Sequence, residues 1–393
     1  MNLRDYQSRI VDEVRRRLDN YTGPFVVNAF QSSGKSIMIA EVAKDRKCLI
    51  LCPNKELVEQ NMSKLEMLGC RPTAYSASVG QKIISNITVG TIGSIAPHWE
   101  ECAGFDLILI DECDAVPVDN NDSMFMKFLH HIAVFNPKVV GWTGTPFRIF
   151  KTYGKSKNGH LIQRTMIKPL THKYWKDIYN AVEFDELAGK YCADIDYYKY
   201  DTDRSMLKVN TTGLDFTEAS LDEYMDKNII TVVDAAQRAS GAAKRVLITV
   251  ANIETAEMVA EALIRRGVKA DFLHSKMRKK ERTERVNKFK SGETKVMVQV
   301  MILNVGFDLP ELDVVIFARP CLSPRIWCQT VARGIRLDRS RPDKKCVLID
   351  MADEYSLFGH IGDIKYRNGK IVSAKYVLSD IILNEVDVDR FRR

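Results

Sequence analysis

The chain reads as an α/β protein with two tandem parallel-sheet lobes and an insert between them. In two separate regions, apolar runs of strand length alternate with stretches of helical periodicity, the pattern of parallel strands joined by crossover helices. The 393 residues supply enough chain for two or three domains with full cores. A glycine-lysine-serine loop also lies between a strand-like run and a helical one, at Gly34-Lys35-Ser36.

The first region runs from residue 1 to 148. Its strand-like runs are Phe25 to Asn28, Cys48 to Cys52, Ile87 to Gly90, Leu107 to Ile110 and Val139 to Trp142. Amphipathic stretches at Ser36 to Lys44 and Lys55 to Leu68 separate them. Residues 149–224 read differently. Lys151, Lys155 and Lys157 lie in a glycine-containing stretch with Phe150 and Tyr153, and a polar segment follows with Tyr191, Tyr197, Tyr198 and Tyr200. The lysine stretch is a candidate nucleic-acid loop. The tyrosines are expected to pack in a strand rather than stack on bases. Alternation returns over 225–393, with strand-like runs at Arg245 to Val250, Ala270 to Leu273, Lys295 to Val300, Val314 to Ala318 and Lys345 to Asp350. Asn368-Gly369 between β-prone residues signals a hairpin near the end.

Composition excludes several classes. Hydrophobic and charged contents of 45% and 28% are globular averages, which exclude disordered, collagen-like and coiled-coil chains. No run reaches the roughly 18 to 20 apolar residues of a membrane span, and Met1 to Tyr6 show no signal-peptide core, so a soluble intracellular protein is expected. Nine scattered cysteines without a C-x-x-C pair argue for reduced core thiols over a structural zinc site. The net charge of +7 permits a polyanionic partner without requiring one.

The chemistry concentrates at the first region's strand ends. In Ala29 to Ser36 the backbone N–H groups and the start of the following helix form an anion site for a nucleotide's phosphates. Ser32, Ser33 and Gly34 belong to this loop. Lys35 would reach the β/γ-phosphates, and the Ser36 hydroxyl would ligate Mg²⁺. A capped helix start with an exposed lysine would use the same letters. Asp111-Glu112-Cys113-Asp114 weighs against that, because the acids emerge at a strand's carboxyl end, where open α/β sheets place ligands. Asp111 would hold the Mg²⁺ and Glu112 would orient the attacking water. In Gln329 to Arg336, Arg333 and Arg336 are three apart and fall on one face if the stretch is helical. An arginine reaching the γ-phosphate accelerates phosphoryl transfer, although a basic face touching solvent or nucleic acid is the alternative.

Taken in order, these segments resemble the motifs of a superfamily 2 helicase of the DEAD/DEAH-box type, over nearly the whole chain. Leu3 to Gln7 resembles the adenine-reading Q motif, Ala29 to Ser36 motif I, Pro53 to Leu57 with Gln60 motif Ia, and Thr91 to Ser94 motif Ib. Asp111 to Asp114 is similar to motif II, Thr143 to Pro146 to motif III, Asn304 to Pro310 to motif V, and Gln329 to Arg336 to motif VI. Gln329, in place of the histidine of RNA DEAD-box enzymes, and Thr-Gly-Thr-Pro, in place of Ser-Ala-Thr, make the chain look like RadD-like and phage UvsW-like DNA helicases.

The resemblance implies two RecA-like lobes binding ATP and Mg²⁺ between them. It implies nucleotide contacts from Arg4, Gln7, Ser32, Ser33, Gly34, Lys35, Ser36, Gly306 and Asp308, and hydrolysis served by Lys35, Asp111, Glu112, Gln329, Arg333 and Arg336. Thr143 and Thr145 would couple hydrolysis to movement. A strand would contact Asn54, Lys55, Thr91, Ser94, His274, Lys276 and Asn304. The expected protein is a monomeric ATP-dependent DNA helicase or translocase, with 3′→5′ polarity, acting on forked or branched DNA. RNA and duplex-only movement are the alternatives, and the cytoplasm of a bacterium or phage-infected host is the expected setting.

Overall fold

The computed structural model describes residues 3–155, 158, 160–302, 309–338 and 340–387. From the N-terminus the strands are β1 (Phe25–Ala29), β2 (Cys48–Cys52), β3 (Thr73–Ser76), β4 (Gln81–Lys82), β5 (Ile87–Thr91), β6 (Leu107–Asp111), β7 (Lys138–Thr143), β8 (Phe147–Lys155), β9 (Leu161–Pro169) and β10 (Asp177–Val182). They continue with β11 (Asp194–Lys199), β12 (Arg245–Thr249), β13 (Ala270–Leu273), β14 (Val296–Gln299), β15 (Leu312–Phe317), β16 (Lys345–Asp350), β17 (Lys365–Arg367), β18 (Lys370–Val372) and β19 (Ile382–Asp387). The helices are α1 (Asp5–Asp19), α2 (Lys35–Ala43), α3 (Lys55–Met67), α4 (Ile92–Ile95), α5 (Met124–Ile132), α6 (Phe184–Leu187), α7 (Glu218–Ala242), α8 (Ile253–Arg265), α9 (Lys279–Ser291), α10 (Pro324–Val331) and α11 (Glu354–Phe358).

Two compact units result. The first comprises residues 1–148 and 168–186, and the second 149–167 and 187–393. The first unit's sheet has the order β10-β1-β7-β6-β2-β5-β3-β4, parallel except for β4, which runs antiparallel to β3. β1, β2 and β6 are buried along their whole length. Such strands are covered on both faces, which is why they read as continuous apolar runs rather than alternating ones. Helix α1 turns Ile10, Val11, Val14 and Leu18 inward, and the side chain of Asn54 caps α3 through the Leu57 N–H.

The second unit's sheet is parallel throughout, in the order β11-β16-β15-β12-β14-β13. Its core packs Val246, Ile248, Val296, Val298, Val314 and Ile316 against Val232, Val233 and Ala236 of α7 and Val259, Ala260 and Leu263 of α8. A separate sheet has the order β19-β9-β8, with β19 antiparallel to β9. The tail hairpin forms as expected. Asn368 and Gly369, with φ of 48° and 80°, supply the two left-handed residues that a two-residue turn between β17 and β18 requires.

Residues 149–224 do not form a separate insert. β10 adds to the edge of the first sheet beside β1, and β11 adds to the edge of the second beside β16. Helix α7 begins at Glu218, ahead of the expected boundary. The tyrosine-rich stretch contributes β11, and the Tyr197 hydroxyl accepts the Ile361 N–H at 3.2 Å. Arg333 and Arg336 do not share a helical face. Helix α10 ends at Val331, Arg333 lies in the turn beyond it, and Arg336 forms an antiparallel bridge with Cys192. The reason is packing at Gly334, where a Cβ would stand 2.2 Å from the Cys346 Sγ on β16. The chain leaves the helix in order to approach that strand.

Candidate functional site

The loop after β1 is built by its neighbours as much as by its own residues. The Tyr6 hydroxyl and the Gln7 side-chain amide, both from α1, donate to the Ser33 carbonyl at 2.7 and 3.0 Å. The Arg4 N–H donates to the Gln7 Oε1 at 3.1 Å, which satisfies a backbone donor at the start of that helix. Ser33, Lys35 and Ser36 are buried, and Gly34, in the left-handed region, caps α2. The loop's last residues thus lead directly into a helix start, where N–H groups converge on an anion.

Lys35 extends from the first turn of α2 towards the acids at the end of β6. Its Nζ lies 3.4 Å from the Glu112 Oε1 and donates to the Gln31 Oε1 at 3.4 Å. Glu112 is held at φ 50°, a left-handed conformation that few side chains adopt. Asp111 is buried, and its Oδ1 accepts the Glu112 N–H at 3.0 Å. Burial, then the adjoining Glu112 carboxylate, push the Asp111 pKa above its ordinary value, while Lys35 opposes the shift.

Several buried polar atoms here have no hydrogen-bond partner among the described residues: the Glu112 Oε2, the Ser32 and Ser33 hydroxyls and the Gln31 Nε2. Buried polar groups are satisfied almost everywhere in folded proteins, so a cluster of exceptions marks a place for a polar ligand. The adjoining Ser36 hydroxyl and Asp111 carboxylate offer the hard oxygen donors that Mg²⁺ takes.

Two residues outside the expected set complete the site. Gln60 and Asn61 are consecutive on α3. The Gln60 Nε2 donates to the Ser36 Oγ at 2.8 Å, and the Asn61 Nδ2 donates to the Asp111 Oδ2 at 3.0 Å. Gln60 falls in a segment the sequence singles out. Asn61 carries no local signal, because its role arises from which helix lies beside which strand end.

Asp114 joins this strand end to the next. Its two carboxylate oxygens accept the hydroxyls of Thr143 and Thr145, each at 2.9 Å, across the end of β7. The two expected coupling residues therefore meet on one carboxylate.

The candidate strand contacts among the described residues fall in both units. Asn54 is occupied as a helix cap, and Lys55 pairs with Glu59 at 3.0 Å. The Thr91 hydroxyl donates to the Ser94 Oγ, which also accepts the Ala77 N–H. Both therefore hold the turn after β5. His274 follows β13, stacks against Phe272 and lies 3.9 Å from Glu257, and Lys276 is exposed. Gln329 is buried, and its carbonyl accepts the Arg333 Nε–H at 3.2 Å. Asn304, Gly306 and Asp308, and Lys157 of the lysine stretch, lie outside the described residues.

All nine cysteines are free, and eight of them are buried. Among the described residues, no helix is long and apolar enough to cross a membrane.

The chain thus has a strand-loop-helix phosphate-type loop, a lysine on an acid pair and two parallel-sheet units. Residues 1–148 match the family described as type III restriction enzyme, res subunit, and residues 227–338 match the helicase conserved C-terminal domain. The chain therefore has one region similar to each of these two families. It is 21% identical to IRC3 of Saccharomyces cerevisiae, named as an ATP-dependent helicase, over 98% of this chain and 58% of that one. Among solved structures, a fragment of an HsdR subunit of a type I restriction enzyme from Vibrio vulnificus superposes with a TM-score of 0.63 at 16% identity, covering 90% of this chain and 65% of that one. The Type ISP restriction-modification enzyme LlaBIII bound to DNA superposes with a TM-score of 0.60 at 17% identity, covering 89% of this chain and 27% of that one. These likenesses concern the fold. The chain spans 58–63% of the length of its yeast and phage relatives.

Proposed function

We propose that this protein is an ATP-dependent helicase or translocase that couples ATP hydrolysis to movement along DNA, with forked or branched DNA as its substrate and 3′→5′ polarity. The observation that carries the reading is the buried Lys35–Glu112 contact beside the unpartnered Glu112 Oε2, at the end of the strand that also bears Asp111. A binding module gated by nucleotide has no use for an acid positioned to orient water. DNA is favoured over RNA by Gln329 and by the Thr-Gly-Thr-Pro form of the segment at Thr143.

The loop N–H groups and Lys35 bind the phosphates, with Tyr6 and Gln7 of α1 bracing the loop. Ser36 and Asp111 would hold Mg²⁺, which neutralises phosphate charge when bound. Glu112 accepts a proton from the attacking water and orients it. Arg333 and Arg336 stabilise the charge of the transferring phosphoryl group. Asp114 transmits a change at the acid pair to Thr143 and Thr145.

The test is ATPase activity measured with single-stranded DNA, duplex, forked DNA and RNA. Forked DNA is expected to stimulate most, and Lys35→Ala to abolish turnover. Equal rates with and without nucleic acid, unchanged by Lys35→Ala, would overturn the reading. Strand displacement run beside triplex displacement separates a helicase from a duplex translocase.

A further inference from the structure

The net charge of +7 is not spread evenly. Residues 147–169 hold six Lys and Arg residues and no Asp or Glu, so the rest of the chain is left at +1. Helix α9 is also rich in cations, but Glu281 and Glu284 interrupt it, and Arg285 is held by Asp271 and Glu281. The acid-free segment forms β8 and β9, with β19 along the other edge of β9.

Strand periodicity sorts β8 into two faces. Phe150 faces inward and is 1% exposed, whereas Tyr153 is 63% exposed. Lys151, Tyr153 and Lys155 alternate with the inward set, so they share the outer face, with the two lysines roughly 13 Å apart and the ring between them. Neither lysine has a carboxylate partner among the described residues, and Lys155 is exposed. On β9, the Gln163 Oε1 accepts the Tyr153 hydroxyl at 3.2 Å, which fixes the direction of the ring. Arg164 is tied to Glu385 of β19 at 2.7 Å and so braces the sheet.

We propose that this outer face of β8 is a binding surface for single-stranded DNA, with Lys151 and Lys155 on phosphates and Tyr153 stacked on a base. The inference rests on the DNA reading above and adds to it a contact on an element none of the helicase motifs includes. Charge complementarity selects a polyanion, and an aromatic ring held between two cations selects one with exposed bases, because a duplex buries its base faces. An acidic peptide would use the lysines and leave the ring without a role.

The test uses the full chain and a labelled oligothymidine, with binding followed by fluorescence anisotropy as salt is raised from about 50 to 200 mM. Replacing both lysines (Lys151→Gln with Lys155→Gln) is expected to reduce the salt slope by about 1.4, two phosphate contacts at ~0.7 each. Tyr153→Ala is expected to weaken binding about tenfold and Tyr153→Phe to retain it, since stacking needs the ring and not the hydroxyl. Melting curves check that each variant folds. If wild-type protein binds oligothymidine and all three variants bind it with the same slope and affinity, the inference fails while the DNA reading stands. It also fails if the losses appear equally with a blunt duplex or polyglutamate, or only with oligouridine. Absence of wild-type binding to every nucleic acid would instead sink the function from which it starts.

Discussion

At the residue scale, Asn61 shows how much of the acid site depends on groups that touch no ligand. Its amide donates to the Asp111 Oδ2 and, from the same nitrogen, to the Leu57 carbonyl, so Asp111 is oriented by helix α3. Groups that orient a metal-binding carboxylate change metal affinity or activity about 10- to 100-fold when removed. Asn61→Leu is therefore expected to raise the Mg²⁺ concentration for half-maximal ATPase by about that factor, and a Mg²⁺ titration at saturating ATP measures it. Glu354 presents the opposite case, a buried acid that costs stability. It is fully buried at the start of α11, its Oε1 accepts the Cys321 N–H at 2.9 Å, and its Oε2 has no hydrogen-bond partner among the described residues. Burial pushes its pKa up from 4.5 to about 8, with Arg204 only partly compensating. Between those values the folded state holds a proton that the unfolded chain has released, so stability falls as pH rises across that window and levels off above it. Glu354→Gln should flatten this decline and raise the urea midpoint at pH 8 relative to wild type. A wild-type midpoint independent of pH from 5 to 8 would contradict the assignment.

At the element scale, the turn from α10 to β16 depends on one buried cation. The Lys344 Nζ donates to the carbonyls of Pro310, Gly334 and Arg336 at 2.7, 3.0 and 2.8 Å, so all three ammonium protons are used. Arg341 holds the same turn through Asp313 and Asp338, and Asp338 also meets Lys244. Lys344→Met would leave three carbonyls unsatisfied, at ~1 kcal/mol or more apiece, and is expected to lower unfolding free energy by about 3 kcal/mol or more in urea titrations. The same turn marks where sequence pattern stopped being informative. Buried strands such as Cys48–Cys52 and Leu107–Asp111 were legible because their apolar runs are continuous and bounded. Arg333 and Arg336 read as one helical face because spacing of three fits a helix, but Gly334 must lie against Cys346, a contact 12 residues away in sequence that no local period encodes. The phosphate loop and the acid pair were legible because adjacent residues form them. Asn61 was not, since tertiary packing alone brings it to Asp111, 50 residues away.

At the scale of the whole molecule, the domain division is discontinuous in the chain, and this has a consequence for folding. Residues 1–148 look complete by their motifs, yet β10 from residues 177–182 pairs along the length of β1. Removing it would leave Phe25–Ala29, an apolar strand, as an open edge, which is a template for aggregation. Trp175 would go too, a fully buried side chain. The second unit's segment 149–167 interrupts the first, but its ends return close together, because the Leu170 N–H donates to the Pro146 carbonyl at 3.0 Å. A short glycine-serine turn can therefore replace it. A fragment of residues 1–186 with 149–167 replaced in this way is expected to be monodisperse and to unfold in a single cooperative transition. The fragment 1–148 is expected to aggregate or to unfold without a sharp transition, although it keeps every candidate nucleotide-binding residue of the first unit. Size-exclusion chromatography and thermal unfolding of the two fragments measure the difference. Equal behaviour would mean that β10 is dispensable and that the first unit ends where its motifs do.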